Sequence, residues 1–268
     1  MRNLYLTDLK RLFKDKLFLI TVILALAFAL FNPLLYYALF QLLELGDLLG
    51  QMVNAKSLLF TAFLPSDNLG LILPILIAII ICKDFSQGTV RNKIICGNAR
   101  HTIFLSHFLS SSTVLCGLML IHGLLTLIFS LCFFDYQPTK FTASDFGYLM
   151  LSLLFEMLVY LAISAIVTFI ATLAKNTGLC ILFYLSLSFG ASIIGSVLQM
   201  AGMALNPQST EYAILEFFNA LNIYTSSFIG AGESYEAKEI LYILLPSLAY
   251  GVGCTLLGIR LFSRKNLK

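Results

Sequence analysis

Phe146-Gly-Tyr-Leu-Met-Leu-Ser-Leu-Leu-Phe-Glu156-Met-Leu-Val-Tyr160-Leu-Ala-Ile-Ser-Ala-Ile-Val-Thr-Phe-Ile-Ala-Thr-Leu-Ala174 contains one charged side chain, Glu156. As a helix it rises roughly 43 Å, more than the hydrocarbon thickness of a bilayer. Hydrocarbon offers no partner to an open backbone amide, so such a segment crosses as a helix. Outward from it lie five more apolar blocks, Leu17–Phe40, Asn68–Cys82, Phe108–Phe134, Gly178–Leu205 and Ile240–Phe262. The Asn68–Cys82 block is short, and Leu58–Leu64 just upstream is expected to extend it through Pro65. Six blocks predict an all-α polytopic membrane protein, a single transmembrane domain over residues 1–268. The composition agrees: 59% of the 268 residues are hydrophobic and 12% charged, about half the charge of an ordinary soluble domain. Mean hydropathy is +0.90.

The segments between the blocks carry unequal charge. Of 17 Lys and Arg, all but three fall in Met1–Lys16, Lys83–His107, Lys175–Thr177 and Arg260–Lys268. Lys56, Lys140 and Lys238 lie in the alternate segments, Glu44–Asp67, Asp135–Asp145 and Asn206–Glu239. The positive-inside rule therefore predicts a multi-pass protein of the cell membrane with both termini and the Lys83–His107 loop in the cytoplasm. The first block is expected to stay as a span, since sixteen amphipathic residues precede it, too many for a signal-peptide n-region. The six cysteines are expected to be packing residues: no CxxC occurs, and no pair falls in an outer segment.

Residues 1–16 place Tyr5, Leu9, Leu12 and Phe13 at helical spacing, with Asp8, Lys10, Arg11, Lys14 and Asp15 between them. This pattern predicts an amphipathic interface helix, apolar face toward the membrane and basic face toward anionic headgroups. Pro33, Pro74 and Pro246 are expected to kink their spans. Gly190, Ala191, Ser192, Gly195 and Ser196, then Gly251, Gly253 and Gly258, would let helices approach closely. Within 206–239, Ser209–Gly230 is too apolar for a solvated loop and too polar for a lipid-facing span; one or two short re-entrant helices are expected.

No P-loop, dinucleotide fingerprint, HExxH or nucleophile elbow occurs, so catalytic residues, a metal site and nucleic-acid binding are not expected. Inside the spans the readily ionisable side chains are Glu156 and His122. An intramembrane carboxylate is a functional candidate, although it can equally serve as a polar contact inside the bundle. A secondary transporter or channel using Glu156 is the competing reading; a relay there would need several polar groups in register. The loop after the second block, Lys83-Asp-Phe-Ser-Gln-Gly-Thr-Val-Arg-Asn-Lys-Ile-Ile-Cys-Gly-Asn-Ala-Arg100, predicts a short amphipathic helix under the membrane. Asp84 would cap it, Gly88 would permit a bend, Val90, Ile94 and Ile95 would form a narrow apolar face, and Arg91, Lys93 and Arg100 a basic surface.

The run Asp84-Phe85-x-x-Gly88-Thr89-x-Arg91-Asn92-Lys93, followed by Gly97-x-x-Arg100, resembles the coupling loop of ABC-2 type transporter permeases. The layout of the whole chain is similar to theirs as well, with Asp84 standing where the family commonly has Glu. The resemblance implies a coupling helix formed by Asp84, Phe85, Gly88, Thr89, Val90, Arg91, Asn92, Lys93 and Arg100, docked on a cytoplasmic ABC ATPase. It also implies a second permease copy or paralogue, ATP and Mg held on the partner ATPase, no cofactor in this chain, and export of an amphipathic peptide, drug or other hydrophobic substrate.

Overall fold

A computed structural model describes residues 1–43, 53–65, 68–135, 142–174, 176–206, 208–230 and 235–265. Parts of the outer segments expected from sequence, and Lys175, lie outside these residues. Among the described residues the chain forms eleven α-helices and no strand. In chain order they are α1 (Arg2–Lys14), α2 (Lys16–Leu43), α3 (Ala55–Phe63), α4 (Asn68–Ser86), α5 (Thr89–Ile95), α6 (Arg100–Ser130), α7 (Ala143–Leu173), α8 (Thr177–Met203), α9 (Thr210–Ala220), α10 (Ile223–Gly230) and α11 (Ala237–Arg264).

Five of them, α2, α6, α7, α8 and α11, are long and apolar enough to cross a membrane. The 19-residue α4 is at the short end of spanning length and bends by 58° into α5. The protein is thus an all-α, multi-pass membrane protein. α7 is its hub, packed against α11, α6, α4 and α8. Leu73 and Ile77 of α4, Leu115 and Met119 of α6, and Val159 and Ile163 of α7 form the centre of one core. Large apolar side chains on α2, α8 and α11, such as Leu19, Ile193 and Leu256, point away from it, as lipid-facing residues do.

α3 does not prolong the second span. It is a separate buried helix, started by an Asn54–Ser57 capping box and ended at Leu64, which is extended because Pro65 follows. α6 begins at Arg100, inside the loop drawn as Lys83–His107, because nothing after Ala99 breaks a helix. α2, α4 and α11 remain helical through Pro33, Pro74 and Pro246. α9 and α10 are the two short helices expected in Ser209–Gly230. Ile223, Tyr224, Ser226 and Ser227 of α10 are buried against α11, α7 and α8.

α1, the α4–α5 bend, the start of α6 and the ends of α7 and α11 meet at one end of the bundle. The starts of α3 and α7 meet at the other, through Lys56 and Asp145. This is the grouping the charge asymmetry of the segments requires.

Some of the small residues serve close helix packing. A Cβ added at Gly258 of α11 would stand 2.3 Å from the buried Phe104 ring of α6, whereas one at Gly253 would meet nothing within 4 Å. Gly258→Ala should therefore lower the unfolding free energy of the detergent-solubilised protein by about 1–3 kcal/mol through overpacking. Gly253→Ala should be neutral or stabilising by up to about 1 kcal/mol, because alanine is the better helix former. Equal thermal stability of the two variants would show that Phe104 yields freely.

Candidate functional site

At the basic end, α1 turns charged residues inward. Asp8, Arg11 and Asp15 fall at i, i+3 and i+7 and share a face with Leu12. Asp8 and Leu12 are buried while Phe13 is exposed, so the interface helix is rotated from the orientation its apolar spacing suggested. The reason is the partner it meets: Lys93 Nζ of α5 donates to Asp8 Oδ1 at 2.6 Å and to Asp84 Oδ2 at 3.4 Å. Ser106 Oγ of α6 donates to the second oxygen of Asp8 at 2.6 Å. Arg11 grips Asp84 with both terminal nitrogens, Nη1 reaching Oδ2 at 3.1 Å. His107 Nε2 lies 3.8 Å from the same Asp84 oxygen.

Two carboxylates thus face two cations in a site nearly closed to solvent. Such a set costs desolvation energy and holds only while every member stays paired. Next to it, Lys83 Nζ meets Asp15 at 3.2 Å. Burial alone would raise the Asp15 carboxyl, but the Leu17 amide and the Lys83 ammonium outweigh it and hold the group below its ordinary value. Asp8, Asp84 and His107 bring three donor atoms within 4.8 Å of one another, as a metal site would. Lys93 already holds the cation position between the two carboxylates, however, and a divalent ion would have to displace it.

The residues singled out for coupling divide into two sets. Gly88 has φ 70° and ψ 8°, the left-handed conformation that glycine adopts without strain, and it makes the corner between α4 and α5. Asp84 is not the cap of the short helix; it ends α4 inside the charge cluster. Val90 is 1% exposed and packs on Ile103 and Phe104 of α6 and Phe262 of α11. Phe85 stacks edge-on against Phe262 at 5.8 Å, and Thr89 is half-buried. Arg91, Asn92 and Ile95 face outward, Ile95 with 74% exposure.

The expected basic surface is therefore reduced to Arg91. Lys93 is buried, and Arg100 donates through Nη1 to the carbonyl oxygens of Phe262, Ser263 and Lys265, at 3.3, 3.0 and 2.5 Å. It caps the last turn of α11, where the helix leaves carbonyls open and its dipole favours a cation. Lys265 does the same for α7, donating to the Thr172 oxygen at 2.5 Å.

Of the intramembrane candidates, His122 is buried with Nδ1 3.3 Å from the Ala62 carbonyl, which ties α6 to α3. Glu156 is fully buried midway along α7, and neither carboxylate oxygen has a hydrogen-bond partner among the described residues. The inward cluster around Lys93 was missed on the sequence; its signal was the Asp8, Arg11, Asp15 spacing on one face of α1. No protein-family model matches the chain, and a search of curated proteins finds no match either.

Lys93→Met should leave Asp8 and Asp84 undercompensated and cost about 3–5 kcal/mol of stability. Asp8→Asn combined with Lys93→Met should recover part of the loss, with a coupling energy of about 1–3 kcal/mol. A double-mutant cycle read by denaturant unfolding in detergent measures both. Tryptic cleavage at the exposed Lys10 and Lys14 should quicken only in the single variant.

Proposed function

We propose that this chain is the membrane subunit of an ATP-driven exporter of the ABC-2 permease kind, working as a dimer with two ATPase subunits that bind ATP and Mg. The observation that carries the reading is α5. It is a short helix set at an angle beneath a span, anchored inward through Val90 and Lys93, with Arg91, Asn92 and Ile95 left on its outer face. An isolated exposed isoleucine beside an arginine, on the end with the positive-inside excess, suits a groove on a cytoplasmic protein partner.

In this reading a push on α5 has two rigid outlets. The ion pairs of Lys93 carry it to α1, and the packing of Val90 on Phe104 and Phe262 carries it to α6 and α11. The chain itself does no covalent chemistry. ATP binding and hydrolysis on the partners would shift the bundle between inward and outward states by favouring one position of α5. The lipid-facing, phenylalanine-rich bundle fits an amphipathic peptide, drug or other hydrophobic substrate that enters from the membrane.

Ile95→Asp should reduce co-purification of an ABC-type ATPase from native membranes about tenfold or more, as loss of a docking anchor does. Vanadate-sensitive ATP hydrolysis and substrate efflux should fall with it, while the yield of folded permease stays at the wild-type level. Val90→Asp should act differently, by lowering the yield itself, because Val90 faces its own chain. Should Ile95→Asp leave partner, hydrolysis and efflux unchanged, α5 is a tether and not a docking helix.

The orientation has its own test in two exposed native thiols at opposite ends, Cys96 after α5 and Cys132 after α6. In intact cells a membrane-impermeant maleimide should label Cys132 and an introduced Gln208→Cys, and reach Cys96 only after permeabilisation. The reverse pattern would invert the topology.

A further inference from the structure

Along α7, Ser152, Glu156, Tyr160, Ser164, Thr168 and Thr172 recur at every fourth residue, and all six are fully buried. Each step is one helical turn, roughly 6 Å, so the row runs about 30 Å, the depth of the hydrocarbon. Its basic end meets the charge cluster. Asp84, His107, Ser110 and Ser111 wall a cavity of about 20 Å³ between the cluster and the row. That volume and those polar groups suit one water molecule. Beyond the cavity, Ser111 Oγ is 2.7 Å from Ser164 Oγ and 3.2 Å from Thr168 Oγ1, and Ser112 donates to Ser164 at 2.9 Å. Tyr160 and then Glu156 follow at the next two turns.

Glu156 is the member of the row that can gain or lose a proton at ordinary pH, and no cation pairs with it among the described residues. Around it α8 contributes Tyr184, α10 Tyr224 and α6 His122 and Cys116; the buried face of α4 from Leu73 to Ile81 is aliphatic. α3 contributes Lys56, which is engaged with Asp145 near the start of α7. Tyr235 and Glu239 approach from the start of α11. Burial raises the Tyr235 phenol above its ordinary value, the nearby Ser152 hydroxyl opposes this, and the carboxylates of Glu156 and Glu239 add to it.

We propose that Glu156 is a proton-binding site, supplied from the basic end through the hydroxyl row, and that its occupancy biases the bundle between a closed and a water-admitting state. Each hydroxyl accepts a proton on a lone pair and passes its own to the next oxygen. One proton enters at the Asp84–His107 cavity, and one O–H bond forms at Glu156, with no group consumed. In the closed bundle nothing stabilises a charge on Glu156, so the closed state holds the neutral acid. Ionisation requires water to reach the carboxylate, and water reaches it only if α7 loosens from its neighbours. Proton release therefore favours the open state, and proton uptake the closed one. The inference rests on the bundle alone and not on the exporter reading.

Infrared pH titration of the full chain in phosphatidylethanolamine–phosphatidylglycerol vesicles, without nucleotide, tests it. The wild type should show a protonated-carboxyl carbonyl band that shifts in D₂O, disappears on raising the pH, and is absent in Glu156→Gln. If Glu156→Gln does not assemble, Glu156→Asp should move the band and serve the assignment. Ser111→Ala with Ser164→Ala should keep the band and its titration but slow its hydrogen–deuterium exchange about tenfold or more, one interrupted step in the relay. A Glu156 band that neither titrates nor exchanges while the protein stays folded would overturn the proposal. So would exchange at the wild-type rate in the double alanine variant, which would leave the row as helix packing only.

Discussion

The ammonium of Lys93, shared between Asp8 and Asp84, is the contact on which the basic end of the molecule depends. It joins three helices distant in sequence, α1, α5 and the last turn of α4, and through Ser106 a fourth, α6. A hydrophobic contact tolerates sliding, but a buried ion pair does not, since each ångström of misplacement leaves charge without a partner. The pair therefore sets how α1 is rotated on the bundle and the angle at which α5 leaves α4. The left-handed Gly88 makes that angle attainable, and the cluster selects it.

The same electrostatic economy organises the other cations of this end. Arg100 and Lys265 turn back to close the open carbonyls of α11 and α7. Arg11 and Lys83 neutralise carboxylates on neighbouring helices, and Lys10, Lys14 and Arg91 remain free to face headgroups or a partner. A positive excess at one membrane face is thus partly structural: helices that end there present negative dipole ends, which cations satisfy. The outward face left on α5 is small, and a small face on an anchored helix transmits displacement better than a large face on a loose one.

The hydroxyl row of α7 and its counterpart on α6 lie in the interior at modest cost. Ser110, Ser111, Ser112 and Thr172 bond carbonyls three or four residues back on their own helices, so their hydroxyls are satisfied before any neighbour is reached. Glu156 has no such local solution. Its carboxylate is too demanding for a backbone carbonyl and too deep for water, which sets it apart from the row it belongs to.

The number of spans, their approximate limits, the bend at Gly88 and the short helices of Ser209–Gly230 were legible in the sequence. Each follows from a local rule: apolar length against bilayer thickness, a glycine where positive φ is needed, mixed polarity that suits neither lipid nor water. The separate helix α3 and the early start of α6 were not, because Pro65 and Ala99 mark breaks whose consequence depends on what packs beyond them. Nor was the division of the coupling segment. On a helical wheel Asp8, Lys93 and Arg100 look like solvated charges, and Val90 looks like part of a docking face. Which side of a short amphipathic helix faces inward is decided by the partners that reach it, here Asp84 from the turn before, Ser106 from α6 and the open carbonyls of α11. The sequence by itself determined that this chain fills a membrane with helices. The tertiary structure alone decided which charges are spent inside, because pairing energy depends on distances between residues tens of positions apart.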